Sequence, residues 1–241
     1  YVLEGVSSCA FVYVNGKYVG FTQGSHLQAE FDITEYAVQG TNTIRVKVLK
    51  WCCGSYLEDQ DMWRLAGIFR SVDLWTRPDT HIADYTLTAV PDEDYATATA
   101  RMKFQIDNLS KKSRKDLQVN VTVSGKDNRG RSVTYTAASS IKKIDAGAKD
   151  SLEIEILMDK PALWSSEKPN LYDVEITFSS KGKELERFKN HLGVRKVEIK
   201  GEVIYYNGKA IKIKGVNRHD THSTNGWYET DEELLEDLKL M

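Results

Sequence analysis

The 241-residue sequence predicts a mainly β protein, with two β-sandwich regions followed by one βα unit. Three observations support this fold class. Short segments that alternate apolar and polar residues recur about every ten residues through much of the chain. Asn-Gly and other turn-forming residues separate these segments. Near the C-terminal end, a strand pattern, a polar loop and a capped helix follow one another, which is the order that opens a βα repeat.

Composition describes an ordinary globular chain and excludes several classes of partner. Apolar residues make up 41% and charged residues 28%, and the formal net charge is −2. A nearly neutral chain of this kind gives no general reason to expect nucleic acid or an anionic membrane as a partner. No apolar run approaches the roughly 18–20 residues that a membrane-spanning helix needs. Cys9, Cys52 and Cys53 match neither a disulfide framework nor a zinc site, so we expect reduced, small, buried residues.

The first region, residues 1–78, is predicted to consist of strands. The segment AFVYVNGKYVGF indicates a hairpin around Asn15-Gly16, because both residues tolerate the positive φ of a type I′ turn. Beyond the two strands of this hairpin, a further strand carries the alternating apolar residues of TIRVKVLK, and GIFRSVDLW predicts another. A complete sandwich has about seven or more strands, so we expect this region to lack its N-terminal part.

The second region, residues 79–196, is predicted to be an immunoglobulin-like sandwich without the paired cysteines of antibody domains. Its predicted strands are ADYTLTAV, ATARMKFQI, LQVNVTVSG, SLEIEILM, LYDVEITFSS and LERFKNHLGV. A turn is expected at Asp127-Asn128-Arg129-Gly130, between the third and fourth of these segments.

The third region, residues 197–241, begins with a hairpin turn at Asn207-Gly208. An apolar strand pattern follows, then the polar sequence Asn-Arg-His-Asp at 217–220, then a helix that Thr230 and Glu233 cap as a capping box. Strand, loop and helix in this order are compatible with the opening of a truncated (β/α)₈ barrel. Both ends of the chain look cut, so we expect a fragment of a longer protein.

The segment LEDQDMWR, from Leu57 to Arg64, concentrates charge just after a predicted strand. The residues alone leave four interpretations open: a metal site, a pair of catalytic carboxylates, a sugar-binding patch, or an ordinary solvated loop. In the last case the loop would be a solvated turn in which Arg64 is the salt-bridge partner of Glu58, Asp59 and Asp61. Such exposed ion pairs contribute little to the stability of a fold.

Three segments, SYLEDQDMWRLAGIFRSVDLW, KPNLYDVEI and NGKAIKIKGVNRHD, closely resemble the β-galactosidases of glycoside hydrolase family 2. The resemblance extends over essentially the whole chain. It implies that 1–78 is the C-terminal part of a jelly-roll sugar-binding domain, that 79–196 is the immunoglobulin-like domain, and that 197–241 begins the catalytic TIM barrel. It also implies hydrolysis of terminal β-D-galactosides with retention. The two glutamates that serve as acid/base and nucleophile would lie beyond Met241, so the fragment alone is expected to be inactive.

The resemblance assigns roles to individual residues. Asp61 matches an aspartate that binds sodium and the galactose 6-hydroxyl, and His219 matches a histidine that contacts the galactosyl group and favours the transition state. Glu58, Asp59, Arg64 and Arg218 are expected to support them, with Glu58 and Asp59 oriented through arginines or main-chain amides. On the alternative interpretation His219 is a structural histidine that Arg218 or Asp220 holds in place.

The resemblance also implies the setting of the parent enzyme. Sodium and magnesium are its expected cofactors, with none expected on the fragment. A β-galactoside is the expected partner, the parent is expected to be a homo-oligomer, and the cytoplasm is its expected compartment. Three alternatives stay open: a stand-alone carbohydrate-binding module, a structural β-sandwich, and a β-glucuronidase or β-mannosidase of the same family.

Overall fold

Strands dominate the structure, a computed structural model that describes residues 1–58 and 60–241. Contacts within the chain divide it into two compact units. The first unit combines residues 1–76 with residues 215–241, and the second contains residues 77–214. Because these units are defined by contacts, the division into three domains stays a prediction.

Short strands in small antiparallel sheets build the first unit. Its described strands are β1 (Val2–Leu3), β2 (Val6–Ser7), β3 (Cys9–Val14), β4 (Lys17–Gln23), β5 (Ala29–Glu30), β6 (Ile44–Leu49), β7 (Gly67–Ile68) and β8 (Val72–Asp73), and the helical turn α1 (Gly54–Leu57) lies between β6 and β7. The pairing order is β4-β3-β6 in one sheet and β5-β1-β8 in another, and β2 pairs with β7. The inward side chains of Leu3, Val6, Ala10 and Val12 are fully buried, so apolar burial holds these short strands together.

The hairpin predicted at Asn15-Gly16 is confirmed. Asn15 has φ 52° and Gly16 has φ 80°, so both turn residues adopt the left-handed conformation that a type I′ turn requires. The Asn15 side chain also fixes the turn, because its amide nitrogen donates to the Tyr36 carbonyl at 2.9 Å and its oxygen accepts from the Thr43 amide at 2.9 Å.

The single strand predicted over GIFRSVDLW is wrong, because the segment forms β7 and β8 with an interruption between them. The partner segment is interrupted too: β7 pairs with β2, while β8 pairs with β1. Between the two pairings, the Phe69 ring lies against Gly5 so closely that a Cβ there would stand 2.9 Å from the ring. The Phe69 amide still donates to the Gly5 carbonyl at 3.2 Å, so the main chains stay bonded at the interruption although the strand is not continuous.

The expectation that all three cysteines are buried is wrong for Cys53. All three thiols are free, with Cys9 buried, Cys52 half-buried and Cys53 exposed. Cys9 lies on the buried face of β3, whereas Cys53 is the residue that precedes α1 and faces solvent.

The second unit contains the sandwich. Within residues 77–214, all of which the structure describes, its strands are β9 (Thr80–Pro91), β10 (Thr97–Asn108), β11 (Arg114–Lys126), β12 (Ser132–Ile144), β13 (Lys149–Asp159), β14 (Tyr172–Ser180) and β15 (Lys183–Leu192). One antiparallel sheet has the order β13-β10-β9 and the other the order β12-β11-β14-β15. The largest fully buried side chains between them include Phe104, Phe178 and Tyr172. The predicted immunoglobulin-like sandwich is confirmed.

Strand β12 is absent from the sequence prediction. Its inward positions include Val133, Tyr135 and Ala137, which pack against the core but remain half-buried. Several of its other positions carry serine, threonine or alanine, so the alternation of polarity is weak. The strand forms because β11 offers a full antiparallel partner, from Arg114 paired with Ile144 onward.

The segment after the sandwich forms a small antiparallel sheet and then an irregular stretch. The strands β16 (Val197–Lys200), β17 (Val203–Tyr206) and β18 (Lys209–Ala210) pair in that order. The turn predicted at Asn207-Gly208 is confirmed, with φ 45° and 73°. The strand predicted after it is wrong, since residues 211–221 have no strand assignment, and Ile213 is 73% exposed. A strand of a parallel barrel needs neighbouring strands to complete its hydrogen bonds.

The helix α2 (Asp231–Leu240) begins as predicted. The Glu233 amide donates to the Thr230 hydroxyl at 3.2 Å, and the Glu233 carboxylate accepts from the Thr230 amide at 2.8 Å, which completes a capping box. Its apolar face is exposed, with Leu235 at 51% and Leu238 at 56%. No helix of the described chain has the length and apolarity that crossing a membrane requires.

We expect adjacent residues of β13 to differ sharply in their contribution to stability. Ile156 is 5% exposed and faces the core, while Leu157 is 68% exposed on the opposite face. Ile156→Ala should lower the free energy of unfolding by about 2–5 kcal/mol, since it removes buried methyl groups and leaves a cavity. The matched control Leu157→Ala should change it by about 0.5 kcal/mol or less. Urea denaturation measures both values, and equal losses would contradict this packing.

Candidate functional site

The described residues between α1, which ends at Leu57, and β7 are Glu58 and 60–66, and they form a loop of the first unit. Asp61 and Trp63 are exposed, with Trp63 at 71%, whereas Met62 is half-buried. The loop's own main-chain bonds are local: the Gln60 amide donates to the Glu58 carbonyl at 2.9 Å, and the Met62 amide donates to the Gln60 carbonyl at 2.8 Å. No hydrogen bond or ion pair reaches the Asp61 carboxylate from the part of the chain that the structure describes. The carboxylate is therefore presented to solvent.

Asp61 and His219 meet at one open cavity of about 390 Å³, although they lie far apart in the sequence. Met62, Trp63 and Thr221 complete its lining. The cavity combines an acceptor at Asp61, a ring that donates or accepts hydrogen bonds at His219, a hydroxyl at Thr221 and an indole face. Such a set suits a small ligand that carries hydroxyl groups and an apolar C–H face.

Glu58 holds the loop to the body of the unit through Ser25, which supplies a main-chain amide, one of the expected kinds of donor, and a hydroxyl that was not expected. The Ser25 amide donates to one Glu58 carboxylate oxygen at 2.9 Å, and the Ser25 hydroxyl donates to the other at 2.6 Å. At the other end of the loop, the Ser7 hydroxyl donates to the Leu65 carbonyl at 3.1 Å. Among the described contacts, Asp61 therefore lies between a contact with Ser25, in the loop between β4 and β5, and a contact with Ser7 of β2.

The remaining acidic residue of the motif, Asp59, lies outside the described residues. Arg64 is exposed and lines a second cavity of about 250 Å³ in the same unit. Three indoles, those of Trp51, Trp63 and Trp227, contribute to the walls of this second cavity. The two cavities share Met62 and Trp63, so the loop separates them.

Arg218, the neighbour of His219, is the centre of a cluster of ion pairs. Its guanidinium donates to Asp237 at 2.6 Å, to Glu229 at 2.8 Å and to Asp220 at 2.6 Å. The hydrogen bonds and charge of Asp237 and Glu229 raise the pKa of the Arg218 guanidinium above its usual value. The cluster joins the segment before His219 to the 220–230 loop and to α2. Arg218 and Asp220 bond to each other, and within residues 1–58 and 60–241 neither makes a hydrogen bond to the His219 ring, so the role of His219 stays a prediction.

Ser25 and Trp227 escaped the sequence analysis, although both line the second cavity. The Trp227 ring packs against His26 and Phe69, with ring centroids 5.2 Å from each. Its indole N–H is buried and has no hydrogen-bond partner among the described residues. Neither residue belongs to a local pattern. The only available signals were a serine next to Gly24 and an isolated tryptophan in a polar loop.

The donor set fits one of the two cations that the resemblance implies. Sodium, a hard cation, prefers oxygen ligands, and the Asp61 carboxylate and the Thr221 hydroxyl supply oxygens at the first cavity. These residues fit part of a sodium coordination shell. For magnesium, residues 1–58 and 60–241 contain no group of three or more His, Cys, Asp or Glu side chains close enough to share an ion, and the expectation of magnesium stays a prediction.

The sequence matches three models of one family in succession. The model described as "Glycosyl hydrolases family 2, sugar binding domain" matches residues 1–78. The model described as "Glycosyl hydrolases family 2" matches residues 80–195, and the TIM barrel model of the same family matches residues 197–241. The loop with Asp61 thus falls in the first match and His219 in the third.

Curated relatives and solved structures agree with this family. A β-galactosidase of Leuconostoc mesenteroides is 38% identical over the whole chain, and one of Pectobacterium atrosepticum is 36% identical. The chain spans 23% of the length of each. A β-glucuronidase of Bacteroides uniformis is 26% identical with a TM-score of 0.84, over all of this chain and 29% of that one. A putative β-galactosidase of Bacteroides fragilis is 25% identical with a TM-score of 0.84, over 99% of this chain and 36% of that one. On these matches, which together leave almost no residue uncovered, the chain belongs to glycosyl hydrolase family 2.

Proposed function

We propose that this chain is part of a retaining β-galactosidase, and that Asp61 and His219 form one wall of its sugar site. The observation that carries the proposal is the cavity that these two residues share. Two segments from different family matches bring an acid and an imidazole to one opening, beside an exposed indole. The identity of 36–38% to curated β-galactosidases supports the galactoside as substrate.

In this proposal Asp61 binds and orients the sugar. A carboxylate accepts hydrogen bonds from sugar hydroxyls, and it also binds a hard monovalent cation. Asp61, with oxygens such as that of Thr221, would hold sodium, and the ion would supply positive charge that offsets the carboxylate. The Trp63 face would accept the apolar C–H side of the sugar ring.

His219 accepts a hydrogen bond from a sugar hydroxyl at a ring nitrogen. Such a bond strengthens as positive charge develops on the ring of an oxocarbenium-like transition state, because the hydroxyls become more acidic. The resemblance assigns bond cleavage itself to two glutamates outside these residues. The chain's own residues would therefore position the galactosyl group rather than protonate or attack it.

A β-glucuronidase is the second candidate, since a β-glucuronidase is among the similar structures. A glucuronide carries a carboxylate on the sugar, and in the absence of a bound cation the described cavity offers it the like charge of Asp61. The neighbouring cation, Arg218, is already paired with Asp220, Glu229 and Asp237. A neutral galactoside avoids this repulsion, which favours the galactosidase.

Substitutions at Asp61 and His219 test the proposal in the complete gene product. Asp61→Asn keeps the shape of the side chain and removes the charge that a cation needs. It should lower kcat/KM for a chromogenic β-galactoside roughly 100-fold, since a misplaced sugar loses its alignment with the reacting groups. It should also abolish the dependence of rate on sodium. His219→Ala should lower kcat more than it raises KM, because its bond strengthens in the transition state.

The matched control for these variants is Asp84→Asn, at an exposed aspartate of β9 that is not part of the lining of this cavity, and it should leave the kinetics unchanged. Wild-type kinetics and an unchanged sodium response in Asp61→Asn would overturn the proposed role. Faster hydrolysis of a chromogenic β-glucuronide than of the β-galactoside would instead select the second candidate.

Arg218 should act through the position of His219. Arg218→Gln removes the positive charge that holds Glu229 and Asp237 together, so those carboxylates should separate. Amide hydrogen exchange of residues 219–230 should accelerate, and kcat/KM of the complete gene product should fall. The control is Arg187→Gln in the sandwich, which removes the two ion pairs of Arg187 with Glu175 and Glu184 and should leave exchange at 219–230 unchanged. Exchange that is equally slow in both variants would contradict the bracing role.

The 241 residues by themselves should not hydrolyse β-galactosides. The resemblance places both catalytic glutamates outside them, and a binding wall without nucleophile or acid cannot cleave the glycosidic bond. Release of nitrophenol from the chromogenic galactoside by the purified chain measures this directly. Turnover that co-purifies with the chain and disappears in Asp61→Asn would show that the chemistry lies within these residues.

A further inference from the structure

We infer that Ser25 is a positioning residue that sets the location of Asp61 through Glu58. The inference rests on the proposed role of Asp61 in sugar and cation binding. It concerns a residue that lies outside the acidic motif and on a different loop, between β4 and β5.

The first step is that Asp61 has no anchor of its own. Its carboxylate makes no hydrogen bond or ion pair within residues 1–58 and 60–241. The main-chain bonds at Glu58, Gln60 and Met62 all close turns inside the loop or onto α1, so they fix its shape but not its place. Placement of Asp61 therefore depends on the contacts that join the loop to the strands.

The second step is that the contact of Ser25 with Glu58 is stronger than the contact of Ser7 with Leu65, the other described contact that flanks Asp61 in the loop. The Ser7 hydroxyl donates a single bond of 3.1 Å to a neutral carbonyl, that of Leu65. Ser25 instead donates twice to the ionised carboxylate of Glu58, at 2.9 and 2.6 Å. Hydrogen bonds to an ionised acceptor are shorter and roughly twice as strong as neutral ones.

The third step is that Ser25 itself is held rigidly. Its side chain is buried, with 3% of the residue exposed. It follows Gly24, whose φ of +117° allows the chain to turn sharply at the end of β4, and the Leu27 amide closes that turn by donating to the Gly24 carbonyl at 3.1 Å. Both donors of Ser25 are held rigidly and bond to the same carboxylate, so they fix the position of Glu58 relative to the end of β4. Through Glu58 they restrict where Asp61 can lie.

Amide hydrogen exchange on the 241-residue chain tests the mechanical part. Ser25→Ala removes the hydroxyl donor and leaves a half-buried carboxylate oxygen unpaired, which favours opening of the loop. Exchange of residues 58–63 should accelerate about tenfold, with little change in the sandwich strands. Ser179→Ala is the matched control, since Ser179 is also buried and its hydroxyl bonds to a neutral carbonyl in the sandwich. Unchanged exchange at 58–63 would overturn the inference.

Kinetics of the complete gene product test the functional part. Ser25→Ala should lower kcat/KM for the galactoside about tenfold and raise the sodium concentration at half-maximal rate. In a double variant with Asp61→Asn, the Ser25 change should have no further effect, because its influence passes through Asp61. Independent, multiplicative losses would overturn the inference, since a purely structural defect adds to the loss of Asp61.

Two further outcomes keep the inference separate from the proposed function. If Asp61→Asn alone leaves the kinetics unchanged, the proposed function fails. If Asp61→Asn impairs activity while Ser25→Ala and Glu58→Gln do not, the proposed function stands and the inference fails. Glu58→Gln decides the matter where Ser25→Ala does not fold, because the amide keeps one acceptor for Ser25 and loses the other together with the charge.

Discussion

Compensation of carboxylates is the constraint on which the candidate site depends. A carboxylate that leaves water costs free energy unless hydrogen-bond donors or cations replace its hydration. Around the site, two sets of interactions replace the lost hydration of the carboxylates. Glu58 accepts both donors of Ser25, and Arg218 serves Asp220, Glu229 and Asp237 at once. Both sets of interactions also join segments that are distant in sequence, so the same hydrogen bonds and ion pairs that compensate the carboxylates also hold the loops together.

Asp61 stands apart from this pattern. It is the acidic residue of the described loop whose charge no described neighbour offsets, and it faces an open cavity. An exposed carboxylate tolerates this because water hydrates it, whereas Glu58, the other described acid of the motif, accepts hydrogen bonds from Ser25. The contrast separates the acids that shape the loop from the acid that is available to a ligand. That separation supports the role of Asp61 more strongly than the density of charge in the motif does.

Local sequence patterns predicted those parts of the fold that local physics determines. The Asn-Gly turns, the capping box of α2 and most of the sandwich strands depend on neighbours within a few residues. The divided strand at β7 and β8, the weakly patterned β12 and the irregular 211–221 depend on partners elsewhere, so the sequence pattern failed there. In the site, the family resemblance pointed to Asp61 and His219, whereas the residues of the acidic segment alone left four interpretations open. The partner of Glu58 could not be predicted, because a serine thirty-three residues away leaves no periodic signal.

The fixed Asn-Gly turns also bear on the chemical ageing of this protein. In flexible chains Asn-Gly deamidates readily, when the glycine nitrogen attacks the side-chain amide to form a succinimide. Here the Asn207 amide donates to the Trp164 carbonyl at 3.0 Å and its oxygen accepts from the Lys196 amide at 2.9 Å, and Asn15 is held in a similar way. Side chains fixed by both atoms cannot rotate towards the attacking nitrogen. The native fold thus protects two reactive sites, and an aspartate formed there during unfolding would place a negative charge against a carbonyl oxygen, so deamidated molecules would refold poorly.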